Sequence, residues 1–208
     1  ISHSQDWSAL VTPLEQHWSR YGTGPLAHFH VLRWQSTSAQ LEGIAHPDTI
    51  SLSNLIGHER QQSRIIINVE RFITNLPAHD MLLYGPPGTG KSSTIKAIAN
   101  TYAQQGLCLV EISKENINDL SQVAAALRGR ARRYLLFIDD LSFEEHDTSY
   151  KTLKVLLEGT AEARPHNILI CTTSNRMNLV RQNFSDRGKP TEDVNWRDTM
   201  DEKQSLVH

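Results

Sequence analysis

The sequence predicts an α/β fold built around a mainly parallel β-sheet, and three features of its central region support this prediction. Between residues 51 and 176, short apolar runs alternate with stretches whose apolar residues recur at helical spacing, a pattern typical of βαβ units. The apolar runs are continuous, as expected for parallel strands that are covered on both faces. One of these runs ends at a glycine-rich loop that opens a helical stretch.

The individual elements of this region follow from the spacing of their apolar residues. Apolar positions from Ile66 to Leu76 recur every three or four residues and stop at Pro77, which predicts a helix within 57–76. Asp147 is a candidate N-cap for a later helix. Strands are predicted at 81–84, 107–112, 134–138 and 168–172, and further helices at 91–102, 118–127 and 150–157.

Residues 1–50 have a different character and carry three of the four tryptophans. Apolar residues from Trp7 to Trp18 recur at steps of three and four, which predicts a short amphipathic helix that Pro13 bends or interrupts. A second short apolar stretch covers 26–34. We therefore predict a helical N-terminal appendage over 1–50, followed by the core at 51–176.

The C-terminal region changes character again. Residues 177–208 are polar and rich in turn formers, which predicts a long loop, a disordered segment or the stub of a truncated C-terminal part. The first residue of the chain is Ile rather than Met, so we also expect the natural N-terminus to be missing.

Composition and charge exclude several classes of protein. The 208 residues carry a net charge of −2 and a pI of about 6.6, so there is no global basic field for nucleic acid or a membrane surface. A bilayer-spanning run of about 18 apolar residues is absent from the sequence, and the polar first residues do not resemble a signal peptide. With only two cysteines the chain is not a disulfide scaffold, so a cytoplasmic location is expected.

The most specific motif is Gly85-Pro86-Pro87-Gly88-Thr89-Gly90-Lys91-Ser92, which fits the phosphate-binding pattern G-x-x-x-x-G-K-[ST]. Its glycines let the backbone curl so that amide N–H groups point at phosphate oxygens, and the next helix adds the positive end of its dipole. Lys91 would reach the β- and γ-phosphates of ATP, and the Ser92 hydroxyl would bind Mg²⁺. The predicted nucleotide-binding residues here are Pro87, Gly88, Thr89, Gly90, Lys91, Ser92 and Ser93.

The strand predicted at 134–138 ends in two carboxylates, Asp139 and Asp140. In P-loop NTPases a carboxylate at such a strand end holds Mg²⁺, which predicts this role for Asp139. A neighbouring acid would orient and deprotonate the attacking water, and Asp140 is the candidate for this catalytic role. Glu144 and Glu145 are also close in sequence, so the assignment of the base stays open between Asp140 and these two glutamates.

A polar segment follows the strand predicted at 168–172. Its Asn175 could hydrogen-bond the γ-phosphate or the attacking water, and it is the third catalytic candidate beside Asp140 and Lys91. An asparagine in a turn at the end of a strand is an equally ordinary interpretation.

Three other groups of residues favour structural roles. His28 and His30 lie two positions apart, but the sequence offers no third metal ligand at a suitable spacing. The N-terminal tryptophans have few basic residues among them, which favours a packing role over a nucleic-acid platform. The basic cluster at 128–133 is predicted to be a solvated loop, with a contact to DNA, RNA or another subunit as the alternative.

These motifs together resemble the AAA+ ATPase family. Residues 85–92 resemble its Walker A loop, 136–140 its Walker B strand and 172–175 its sensor 1 strand, with Asn175 at the sensor position. Leu55-Ile56-Gly57-His58-Glu59 resembles the segment whose Ile-Gly backbone packs on adenine, which implies that Ile56 and Gly57 contact the base. The sequence segments around these motifs are similar to those of a group of bacterial AAA+ proteins known as ATP-binding domains of unknown function. The resemblance implies a three-layer αβα P-loop core.

The chain departs from the AAA+ pattern in two respects. Most members of the family have Asp-Glu where this chain has Asp139 and Asp140. The family also has a fifth strand, an arginine finger and a helical lid after sensor 1, and none of these is recognisable before His208. Arg181, Arg187 and Arg197 are interpreted as solvated loop arginines. The resemblance therefore predicts that this piece binds ATP but hydrolyses it slowly, with its phosphate-loop strand at a sheet edge.

The function predicted from these residues is Mg²⁺-dependent ATP binding and hydrolysis, coupled to conformational change in a ring-type homo-oligomer that acts on a protein client. A nucleotide-gated binding module or loader with little turnover, and a P-loop kinase acting on a small molecule, are the alternatives. Strand order in the family also places Cys108 and Cys171 two strands apart. Because that separation exceeds disulfide reach, both are predicted to be reduced, buried thiols.

Overall fold

The computed structural model describes residues 8–141 and 165–175. The helices of these ranges are α1 (Ser8–Tyr21), α2 (Glu59–Ile73), α3 (Lys91–Tyr102) and α4 (Leu120–Leu127). The strands are β1 (Val31–Gln35), β2 (Gln40–Gly43), β3 (Met81–Tyr84), β4 (Leu107–Ile112), β5 (Arg133–Ile138) and β6 (Ile168–Ser174). Short 3₁₀ turns at Pro25–His28, Leu52–Asn54, Ala103–Gln105 and Lys114–Asp119 join some of them.

The strands form one sheet in the order β2-β1-β4-β5-β6-β3. Neighbouring strands are parallel except for β1 and β2, which form an antiparallel pair. The prediction of a mainly parallel α/β sheet is therefore confirmed. Among the residues that the structure describes, β3 is the last strand at its edge, as the sequence also predicted.

Helices cover both faces of the sheet and make it the middle of three layers. On one face, Phe72 of α2 and Ile98 of α3 pack in a cluster with Leu135 of β5. On the other face, Val123 of α4 packs in a cluster with Leu136 of β5. Successive residues of a strand point to opposite faces, so a strand between two helical layers must be apolar at every position. This requirement explains the continuous apolar run of β5.

The prediction of a wholly helical appendage over 1–50 is wrong for residues 31–43. The helix predicted in the first part exists as α1, with Pro13 inside it, but the second apolar stretch enters the sheet as β1 and turns back as β2. β1 pairs with β4, and its Val31, Leu32 and Trp34 are buried. The backbone pairing offered by β4 and the burial of these side chains outweigh the local sequence pattern.

The basic cluster at 128–133 is not simply a solvated loop. Arg132 is buried, and its guanidinium donates to the carbonyl oxygens of Phe29 and, at 2.8 Å, Ala27. The same group lies 5.3 Å from the ring centroid of Tyr21. Arg132 therefore fastens the N-terminal segment to the start of β5, and the prediction is wrong at this position.

The prediction of two reduced, buried cysteines is confirmed, and several other predictions fall on residues outside the described ranges. Cys108 and Cys171 are free and buried, and β5 separates their strands. Burial raises the pKa of the Cys108 thiol to about 11. The predicted helix at 150–157, its cap Asp147, Glu144, Glu145 and the arginines Arg181, Arg187 and Arg197 lie outside the described residues.

In the part of the chain that the structure describes, none of the helices combines the length and the apolar character that crossing a membrane requires.

Candidate active site

The glycine-rich loop leaves the end of β3 and leads directly into α3. Gly88 and Gly90 have φ values of 77° and 78°, in the left-handed region that side chains disfavour. A Cβ added at Gly88 would meet no atom within 4 Å, so the backbone conformation rather than crowding requires glycine there. Pro87 in the same loop is exposed.

The first turn of α3 is built to attract an anion. The helix begins at Lys91, with Gly90 as its N-cap, and its first turn contains no acidic residue. The backbone N–H and the hydroxyl of Thr94 both donate to the Gly90 carbonyl, each at 2.8 Å, and hold the loop against the helix. The preceding amides, including that of Ser93, have no partner within the helix and carry the positive end of its dipole.

Lys91 lies at the centre of the site, and within the described ranges its hydrogen bonds go to neutral oxygen atoms. Its ammonium donates to the carbonyl oxygens of Gly85 and Pro86, each at 2.8 Å, and to Oδ1 of Asn175 at 3.1 Å. Among the described residues no carboxylate neutralises it. The positive charge is therefore available to a phosphate group.

Asp139 follows β5 and meets the loop through Ser92. The Ser92 hydroxyl donates to Oδ1 of Asp139 at 2.5 Å, and the Thr173 hydroxyl donates to the same oxygen. Two residues predicted as Mg²⁺ ligands, which lie far apart in sequence, are thus brought into direct contact.

Asp140 has a left-handed backbone, with a φ of 50°, which is uncommon for residues other than glycine. Its N–H donates to the Thr173 hydroxyl at 2.8 Å, and its Oδ1 accepts a hydrogen bond from Nδ2 of Asn175 at 2.7 Å. Asn175 therefore joins Asp140 to Lys91 through the two ends of its amide. The three residues predicted to be catalytic form one connected chain of hydrogen bonds.

Ile56 and Gly57 lie in the loop that precedes α2. The Ile56 side chain is 96% exposed, and the Gly57 carbonyl accepts a hydrogen bond from Nε2 of Gln62 at 2.9 Å. A cavity of about 820 Å³ extends from the start of α2 along β3 to the glycine-rich loop. Its lining includes His58, Tyr84 and Lys91, but neither Ile56 nor Gly57.

Thr173 contacts both acidic residues, although the sequence motifs did not single it out. It lies between β3 and β5 in the sheet and contacts both acidic residues through its hydroxyl. Residues two apart on a strand share a face, so its spacing from Asn175 was the available signal.

Comparisons with known proteins agree with these motifs. The family described as "Protein of unknown function (DUF815)" matches residues 27–208. The chain is 34% identical over 117 residues to the probable mitochondrial chaperone BCS1-A of Dictyostelium discoideum, with 50% of this chain and 27% of that protein covered. It is 33% identical over 95 residues to the replication factor C large subunit of Methanococcus maripaludis, with 44% and 20% covered. The chain thus spans about a quarter or less of the length of these relatives.

Among solved structures, the chain is similar to the RuvB Holliday junction branch migration motor of Thermotoga maritima. The sequence identity is 20% and the TM-score 0.47, and the match covers 64% of this chain and 43% of that one.

Proposed function

This chain belongs to the DUF815 family and has an AAA+ P-loop core, and we propose that it binds ATP with Mg²⁺ and hydrolyses the bond between the β- and γ-phosphates. The observation that carries the proposal is the convergence of three separate segments at the carboxyl ends of β3, β5 and β6. Ser92 contacts Asp139 at 2.5 Å, Lys91 contacts Asn175 at 3.1 Å, and Asn175 contacts Asp140 at 2.7 Å. Each contact joins residues with complementary roles in phosphoryl transfer.

The phosphates would be held by the loop and the first turn of α3. The amides of Gly88, Thr89 and Gly90 supply donors, and Lys91 supplies a full positive charge that no described carboxylate neutralises. To reach the phosphates, Lys91 must exchange its contacts with the Gly85 and Pro86 carbonyls for phosphate oxygens. ADP would occupy the same site after hydrolysis.

The chemistry of the neighbouring oxygen atoms fits Mg²⁺. Hydroxyl and carboxylate oxygens are the hard ligands that this ion prefers, and it usually takes only one or two protein ligands beside the phosphates. Ser92 and Asp139 would hold the ion, because their oxygens already lie together at the start of α3. When bound, Mg²⁺ would neutralise negative charge on the phosphates.

Asp140 and Asn175 would act on the attacking water. The Asp140 carboxylate is exposed at the end of β5, where it can accept a proton from water. The Asn175 amide contacts both this carboxylate and Lys91. It can therefore sense the γ-phosphate and orient the attacking water at the same time. Ile56 and Gly57 would contact the adenine, as the resemblance implies; they do not line the cavity beside the loop, but they directly precede His58, which does.

We further propose that hydrolysis is coupled to conformational change in an AAA+ assembly, a ring-type homo-oligomer that acts on a protein client. The change would start where nucleotide binding breaks the contacts of Lys91. A kinase would use the same phosphate loop without needing a carboxylate joined to a sensor amide, so the contact between Asp140 and Asn175 favours an AAA+ ATPase over a kinase. The loader alternative would share this contact and would differ in its low turnover.

A turnover assay without a second substrate tests this proposal. We expect Mg²⁺-dependent release of inorganic phosphate from ATP in equal amount to ADP. Tight ATP binding without phosphate release would favour the loader, and ADP formation that requires an added phosphate acceptor would favour the kinase. Either result would overturn the proposed hydrolysis.

A further inference from the structure

We infer that Thr173 is a positioning residue that fixes the metal-binding carboxylate of Asp139 and the catalytic backbone at Asp140 with a single hydroxyl group. This inference rests on the proposed function and adds to it a residue outside the phosphate loop and the acidic pair. The Thr173 side chain is 1% exposed, so water does not compete for its hydrogen bonds.

The polarity of these hydrogen bonds is fixed by their partners. The Asp140 backbone N–H can only donate, so the Thr173 oxygen accepts from it at 2.8 Å. A hydroxyl has one proton to donate, and that proton goes to Oδ1 of Asp139. One side chain therefore orients a carboxylate and restrains the backbone of the next residue at the same time.

The backbone of Thr173 is itself held from both sides. It pairs with Leu83 of β3, and its carbonyl accepts a hydrogen bond from the Leu141 N–H at 2.7 Å. The hydroxyl thus projects from a rigid strand between the two segments that carry the site. A rigid support of this kind is what a positioning residue needs.

Two features of the acidic pair require such support. Asp140 has a φ of 50°, a conformation that most residues avoid and that neighbouring contacts must maintain. Oδ1 of Asp139 accepts hydrogen bonds from the hydroxyls of Ser92 and Thr173 and, at 3.1 Å, from the Asp140 N–H, and Ser92 must also present its oxygen to Mg²⁺. Thr173 keeps the carboxylate in place while Ser92 takes on this second role.

Thr172 provides a matched control on the same strand. It is also buried, but strand alternation points it to the opposite face of the sheet, and it makes no hydrogen bond to Asp139 or Asp140. Valine has the shape of threonine, so Thr173→Val and Thr172→Val remove one buried hydroxyl each. Thr173→Ser keeps the hydroxyl and loses a methyl group.

The experiment compares wild type with these three variants in two assays on the full chain. The first measures the affinity for a fluorescent ADP analogue with and without Mg²⁺, and the second measures the turnover number for ATP. For Thr173→Val we expect the gain in affinity from Mg²⁺ and the turnover number to fall by about 10- to 100-fold, the usual effect of losing a partner of a metal ligand. The affinity of Thr173→Val without Mg²⁺ should stay unchanged. Thr173→Ser should keep both quantities near their wild-type values. Thr172→Val should match wild type in both assays.

Thr173→Ala serves as a second variant if Thr173→Val does not fold, and it must give the same pattern. Wild-type Mg²⁺ dependence and turnover in a folded Thr173→Val or Thr173→Ala protein would overturn the inference and leave the proposed function intact. An equal loss of affinity with and without Mg²⁺ would also overturn it, because that result indicates general damage to the site. If wild type itself binds no nucleotide, the proposed function fails, and this inference fails with it.

Discussion

The two edges of the sheet are held in place by different kinds of interaction. At the β3 edge, polar contacts join the phosphate loop to neighbouring strand ends, as between Lys91 and Asn175. At the β2 edge, the hairpin is held by backbone pairing with β4 and by packing, with Trp34 only 3% exposed. Substitutions at the first edge should therefore change chemistry with little effect on folding, and those at the second should do the reverse.

The largest expected effect at the β3 edge comes from Asp140→Asn. Asparagine keeps the size and hydrogen bonding of the side chain but cannot accept the proton from water. We expect ATP turnover to fall by roughly 10²–10⁴-fold, the usual range for general-base catalysis, while ATP affinity stays the same. Steady-state phosphate release and an equilibrium titration measure the two quantities. Wild-type turnover in this variant would place the base elsewhere, with Glu144 the next residue to test.

The matching test at the β2 edge is Trp34→Ala. Trp34 packs in the cluster on the α4 face and donates from Nε1 to Oδ2 of Asp119 at 2.9 Å. Its removal should lower the free energy of unfolding by about 3–5 kcal/mol, while the protein that remains folded binds ATP as wild type does. Urea denaturation measures the change. Trp18→Ala is the control, because Trp18 is 48% exposed and its loss should cost much less. Equal effects of the two substitutions would contradict the packing role of the hairpin.

A smaller effect should separate binding from stability at Ile56. Because its side chain lies almost entirely in solvent, Ile56→Ala should leave the free energy of unfolding nearly unchanged. If the adenine covers part of this side chain, ATP and ADP affinity should fall by about 1 kcal/mol, as expected for losing one or two buried methylene groups. Isothermal titration with both nucleotides checks this expectation. Unchanged affinity would show that the Ile56 side chain does not contact the base.

The smallest effect concerns pH at the β2 edge. Hydrogen bonds from Ser36 and from the Trp34 ring N–H lower the pKa of Asp119 below its ordinary value. A carboxyl group whose pKa is lowered by folding stabilises the folded state above its unfolded pKa, and this contribution is lost as pH falls through the folded value. We therefore expect the wild type to lose stability below about pH 4, and Asp119→Asn to lose less over the same range. Urea midpoints at several pH values measure the difference, and parallel curves for the two proteins would contradict the prediction.

The β3 edge could be predicted from the sequence because its chemistry requires particular residues at fixed spacing. Gly88 and Gly90 are needed for left-handed backbone, and Lys91 and Ser92 must follow them directly. The strand that precedes Asp139 carries a continuous buried run from Tyr134 to Ile138 because both of its faces are covered. These requirements are local, so they are visible in a single sequence.

The β2 edge was not predictable in the same way, because its structure depends on distant partners. Val31 to Gln35 becomes a strand by pairing with β4, more than 70 positions later. The turn at 36–39 contains no glycine, and Ala39 adopts a φ of 50° instead, so the usual hairpin signal is missing. Gly43 permits close packing of the Phe29 ring, a contact that only the folded structure reveals.

The most direct test of the account is nucleotide binding by wild type and by Lys91→Ala. ATP with Mg²⁺ should stabilise the wild type against thermal unfolding by roughly 2.7 kcal/mol at a concentration 100-fold above its Kd. Lys91→Ala should abolish this stabilisation, because it removes the positive charge from the phosphate site. Lys96→Ala, which removes the same charge from a later position of α3, should retain it. If wild type is not stabilised by ATP, ADP or a non-hydrolysable analogue, or if Lys91→Ala is stabilised as strongly as wild type, the central claim is contradicted.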